Sequence, residues 1–112
     1  MKINLQFGTY EADMRITTYY NGRTAIQLYD AKDGAPLMTA SVNIPELPEE
    51  SIERLCKKMG IDKKRFVLIK DWSENEGVLM SLEEAGVIDV GKSTIPTGFC
   101  HANVAFLKEE VM

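Results

Sequence analysis

Asp71, Glu74 and Glu76 lie close together in the sequence, and His101 is the single histidine of the chain. Carboxylates beside an imidazole are the groups of general acid–base work or of a mixed oxygen–nitrogen metal site. One reading is therefore a small metal-dependent hydrolase or other enzyme using Asp71, Glu74 and His101. It requires the three side chains to converge within about 3–5 Å of a common point, in a concave pocket. The ordinary reading is stronger. Ser73-Glu74-Asn75-Glu76 has the form of a capping box, in which Ser73 and Glu76 satisfy each other's backbone N–H groups at a helix start. Glu74 and Glu76 then lie in the first turn, where the helix dipole favours them, and Asp71 closes a strand. His101 is read as a polar residue on the outward face of a strand. One histidine cannot build a His-rich metal site, and no nucleophile elbow, P-loop or dinucleotide fingerprint appears. We read the chain as non-enzymatic, with no catalytic residue, cofactor or metal assigned.

Trp72 stands just before that helix start. The ordinary reading is a tryptophan at the rim of the core. The sharper one is an exposed aromatic anchor beside acidic residues, the composition of a protein-binding hot spot. On that reading Trp72, Glu74, Asn75 and, from a hairpin, Tyr19 are the candidate partner-binding residues. Cys56 and Cys100 fit no metal spacing and both fall on apolar faces, which favours buried free thiols, although a disulfide is compatible with the sequence.

Composition narrows the partners. The 112 residues suit one domain, and 45% hydrophobic with 27% charged residues suits a globular one. The formal charge is −4, and residues 1–44 are balanced, so the excess lies wholly in residues 45–112. An acidic half argues against binding a phosphate backbone and for a protein partner. A nucleic-acid module would need basic and aromatic residues on one sheet face, for which Arg15, Arg23 and Tyr19 are the candidates. The N-terminus has no apolar signal segment and no apolar run approaches a membrane span, so we expect a cytoplasmic protein without membrane contact.

The elements that must position these residues are well marked. Residues 2–7 alternate as a half-buried strand. Residues 13–30 form a hairpin about Asn21-Gly22. Pairing residues whose numbers sum to 42 sets Ile16 opposite Ile26 and Met14 opposite Leu28, with Gly22 as a left-handed bulge; a one-residue slip would turn that apolar set to water. Met38, Ala40, Val42 and Ile44 predict a third strand of this meander. Ile52, Leu55, Cys56 and Met59 predict a helix, started by Pro48 and stopped by Gly60. Phe66-Val67-Leu68-Ile69 is apolar on both faces and predicts a central strand. The next helix, from Ser73, ends at Gly86 in a Schellman motif with Leu82 against Val87. A strand begins at Val87, Pro96 and Gly98 predict a type I turn, Phe99–Leu107 returns, and residues 108–112 read as a frayed tail. The expected fold is α+β: a mainly antiparallel sheet of about six strands with two helices packed on it, in the order β-β-β-β-α-β-α-β-β.

Ile69-Lys70-Asp71-Trp72-Ser73-Glu74-Asn75-Glu76-Gly77, Glu84-Ala85-Gly86, Pro96-Thr97-Gly98-Phe99 and Leu28-Tyr29-Asp30 together resemble a family of small bacterial and phage proteins, domain of unknown function 4313. The resemblance touches most of the chain. It implies cargo of plasmids, integrative elements and phages, and it supplies no activity and no site residues. The expectation is an acidic protein-interaction or accessory factor of a mobile element, with an anti-defence role among the candidates.

Overall fold

Gly22, at φ 83, turns the hairpin that sets the first sheet. A computed structural model describes residues 1–112. In it β1 (Lys2–Leu5), β2 (Gly8–Thr18), β3 (Thr24–Asp30) and β4 (Pro36–Thr39) form an antiparallel sheet in the order β1-β2-β3-β4. Ile16 faces Ile26 and Met14 faces Leu28, the register that keeps Ile26 and Leu28 out of water. The first strand is shorter than expected: Gln6-Phe7 make a tight turn, Phe7 is exposed, and β2 already starts at Gly8.

The expected single sheet is corrected to two sheets, of four and three strands. β5 (Phe66–Ile69), β6 (Ile88–Thr97) and β7 (Cys100–Leu107) form the second, also antiparallel, in the order β5-β7-β6. The alternation of Met38, Ala40, Val42 and Ile44 continues past β4, but the chain changes partner. Ala40 N–H donates to the Ile26 carbonyl, whereas the Ala40 carbonyl accepts from Lys70 N–H and Val42 N–H donates to the Leu68 carbonyl, each at 2.9 Å. Residues 40–42 thus seam the two sheets together, with Ser41 bridging Ile69. Alternation reports which faces are apolar; it does not report which backbone lies at each edge.

The seam also joins two cores. Val67 and Ile69 point into a cluster of 13 buried residues, Phe66 and Leu68 into one of eight, which is why β5 reads as an unbroken apolar run. Phe66 meets Phe106 edge-on in the smaller cluster, ring centroids 6.0 Å apart.

Two α-helices cover the sheets. α1 (Glu49–Met59) begins after Pro48 and ends at Gly60, whose φ of 68 is the left-handed stop its sequence calls for. It buries Ile52 and Cys56 in the smaller cluster. α2 (Val78–Glu84) ends as expected: Gly86 lies at φ 75, Gly86 N–H bonds the Glu83 carbonyl at 3.0 Å, and Val87 N–H bonds the Leu82 carbonyl at 3.2 Å. Its start is corrected. Ser73 lies at φ 56 and opens a 3₁₀ turn, Ser73–Asn75, so it cannot serve as the extended N-cap of a capping box. The α-helix begins five residues later, after Gly77 at φ 106. One carboxylate oxygen of Asp71 caps it, accepting from Gly77 N–H and Leu79 N–H, both at 3.0 Å.

β6 continues to Thr97, and the β6–β7 turn is Gly98-Phe99, with Gly98 at φ 61. The expected type I turn over Pro96–Gly98 is therefore corrected. Pro96 sits within an outer strand, where its missing N–H is tolerated. The tail is ordered: Lys108 N–H bonds the Val87 carbonyl at 2.9 Å, and Val111, in a 3₁₀ turn, packs on the larger cluster.

Candidate functional site

Of the four residues expected to meet a partner, two are occupied inside the fold. Asn75 is 1% exposed and donates from Nδ2 to the Thr39 carbonyl at 2.9 Å. The 3₁₀ turn rotates it inward, so it ties the α2 approach to β4 and is not a contact group. Tyr19 is half-buried, and its hydroxyl shares a hydrogen bond with Ser41 Oγ at 2.7 Å. Burial raises the Tyr19 pKa, and the Ser41 bond lowers it in part. Trp72 is half-buried against the smaller cluster, a rim tryptophan. Glu74 is exposed; Lys70 Nζ donates to it at 2.7 Å and holds its pKa below the usual value.

The acid–histidine set does not assemble. Asp71 is spent on the α2 N-terminus. His101 is exposed on β7 opposite Pro96, and no group of three His, Cys, Asp or Glu side chains is placed to hold a metal. Of the sheet-face candidates, Tyr19 and Arg23 are neighbours, Tyr19 N–H donating to the Arg23 carbonyl at 2.8 Å, but all three side chains are engaged within the fold. Arg15 lies 4.4 Å over the Tyr29 ring. Arg23 turns inward, donating to the Ile44 carbonyl at 2.7 Å and to the Leu47 carbonyl, with Nε 3.3 Å from Glu49. It straps down the connection into α1. Cys56 and Cys100 are both free thiols, and burial, with Asp62 and Glu49 nearby, pushes the Cys56 thiol up and away from reactivity.

The chain does shape a different site. A groove of about 570 Å³ runs between the C-terminal half of α1 and the first half of β6. That lies within the range of ligand-binding clefts, roughly 300–1,000 Å³. Val104 and Phe106 of β7 form its floor, and Leu55, Met59, Ile61 and Val90 form its walls. Two local features leave it open. α1 buries only two side chains, so Leu55 stays half-exposed and Met59 is 49% exposed. In β6 the register shifts between Val90 and Thr94, and Gly91 passes so close to β7 that a Cβ there would sit 2.8 Å from the Val104 carbonyl oxygen. The bulge re-aims the strand, and glycine is what allows that approach.

The rim is charged unevenly. Asp89 is neutralised by Lys108 Nζ at 2.6 Å, which raises the Lys108 pKa. Lys58 and Lys92 take part in none of the six ion pairs of the molecule. The groove therefore offers apolar walls and two unpartnered ammonium groups on an otherwise acidic protein. Leu55 and Met59 lie on the one helix stripe that the sequence shows, and the lone Gly91 after Val90 is the sequence signal for a bulge. No helix is long and apolar enough to cross a membrane. No protein-family model, curated protein or solved structure matches the chain.

Proposed function

We propose that this protein works by binding another protein, as a non-enzymatic accessory factor, and that the α1–β6 groove is its contact surface. The observation that carries this reading is a cleft with apolar walls that the chain leaves unfilled, beside lysines without partners. A partner's apolar side chain buried there would gain roughly 25 cal/mol per Å² of surface removed from water. The cytoplasmic setting and the association with mobile elements rest on the sequence alone, chiefly the resemblance carried by residues 69–77, 84–86 and 96–99. The alternative acid–histidine chemistry finds no support in a geometry where Asp71 is a helix cap.

Affinity capture from a bacterial lysate tests the reading, using the wild-type chain and Met59→Asp, which sets a charge in the groove at an exposed helix position. The expected result is one stoichiometric partner held by the wild type and lost by the variant, with both chains melting alike. No stoichiometric partner with the wild type overturns the interaction reading. A partner held equally by both overturns the groove as its site.

A further inference from the structure

The sheets have four outer strand edges, and three of them receive hydrogen bonds from elsewhere in the chain. On β1, Asn4 N–H donates to Ser81 Oγ at 2.8 Å, Ser81 Oγ donates back to the Asn4 carbonyl, and just past the strand Gln6 N–H meets the Glu76 carbonyl. At β4 the Thr39 carbonyl takes Asn75, and at β5 the Leu68 carbonyl takes Val42 N–H. β6 is the exception: it ends the order β5-β7-β6, and no backbone hydrogen bond links residues 89–97 to anything beyond β7; the one side-chain link is Asp89 to Lys108, at the start of the strand. The same strand forms one side of the groove, from Asp89 to Ser93.

We propose that the groove takes an extended acidic segment of the partner, added as a further strand along the free edge of β6, with an apolar side chain in the groove and carboxylates at Lys58 and Lys92. This rests on the interaction reading above and specifies its mode. An open edge supplies main-chain hydrogen bonds to any extended chain, and flanking pockets then select alternate side chains. Successive side chains of a strand point to opposite faces, so a segment whose groove-facing residues, every second one, are apolar and acidic in turn suits a greasy cleft with a cationic rim. Lys92, the bulge and Pro96 are devices that discourage indiscriminate pairing at an edge. Here an edge lysine also sets a preference: a cationic segment meets two like charges, an acidic one meets two free counter-charges. Pro96 bounds the added strand, because it has no N–H to offer.

The probes are capped decapeptides with Thr at every second position and Glu and Val in turn at the positions between (Glu-Val), the same peptide with Lys for Glu (Lys-Val), and two Glu-Val versions N-methylated on either the odd or the even residues. Binding is read by amide chemical shifts of the full chain. We expect the Glu-Val peptide to shift residues 89–95 and the Met59 methyl. One N-methylated version should bind at least about tenfold more weakly and the other nearly normally, because only one edge of the added strand faces β6. Exposed-site reversal, Lys58→Glu with Lys92→Glu, should switch the preference to the Lys-Val peptide. Absence of Glu-Val binding, equal binding of the Lys-Val peptide to the wild type, or equal behaviour of the two N-methylated versions overturns strand addition. None of these outcomes touches the interaction reading, which stands or falls on the capture experiment.

Discussion

The two helices are seated in opposite ways. α2 has seven residues, fewer than an isolated helix needs, and is fastened from a distance. Asp71 caps it across a 3₁₀ turn, and Ser81 grips the Asn4 backbone 77 residues away. α1 has eleven residues and draws both its ends from immediate neighbours, Pro48 and Gly60, with no side-chain cap. It buries little and leaves a cleft beside it. A helix whose two ends are set by its sequence neighbours need not be docked along its whole length, and the space it leaves is available to another molecule. A helix that exists only through its docking leaves none.

The sharpest way to break this contrast is at Gly77. Alanine there would place a Cβ 2.4 Å from the Asn4 carbonyl oxygen in a backbone already at φ 106. Gly77→Ala should lose on the order of 3 kcal/mol or more in urea unfolding; wild-type stability would mean that α2 is not closely seated. Next, Leu82→Ala, at a fully buried position of α2, should lose about 3 kcal/mol, against about 1 kcal/mol for half-exposed Leu55→Ala in α1. Equal losses would erase the difference between the two seats.

A finer test is Asp71→Ala, which should cost about 1–2 kcal/mol and speed hydrogen exchange at Gly77 and Leu79. Asp71→Asn keeps the accepting oxygen and should recover most of that. Ser73→Gly should stabilise the chain, by up to about 1 kcal/mol, through relief of the positive φ. The smallest effect is expected at the groove rim. Asp89 raises the folded-state pKa of Lys108 above its unfolded value, so that pair's contribution is complete below the unfolded pKa and disappears as pH rises through the folded one. Melting curves of wild type and Asp89→Asn should differ slightly up to the ordinary lysine range and converge above it, the difference shrinking with salt.

The same division explains what could be read from residues alone. Both ends of α1, the Schellman end of α2 and the Ile16–Ile26 register are written in adjacent residues, through Pro48, Gly60, Gly86 and Gly22. The start of α2 is not. Ser73 and Glu76 have the spacing of a capping box, but Gly77 and the Asn4 backbone place the helix further along, and the cap falls to Asp71. The second sheet was hidden because residues 38–44 alternate regularly while their partner changes at Ala40. Of the candidate contact patch, Trp72 and Glu74 reach the surface, whereas Asn75 is turned in by a local 3₁₀ geometry that its residue type does not announce. The groove was illegible because residues 55–61 and 89–93 meet only in three dimensions.

β7 follows both β5 and β6 in the sequence, yet it lies between them in the sheet. During translation those two therefore have no neighbour to share until residues 100–107 have emerged, and the apolar run at 66–69 stays half-paired through that interval. Until residues 100–107 leave the ribosome, the emerged run is a greasy, unfinished ribbon, a natural client for a chaperone.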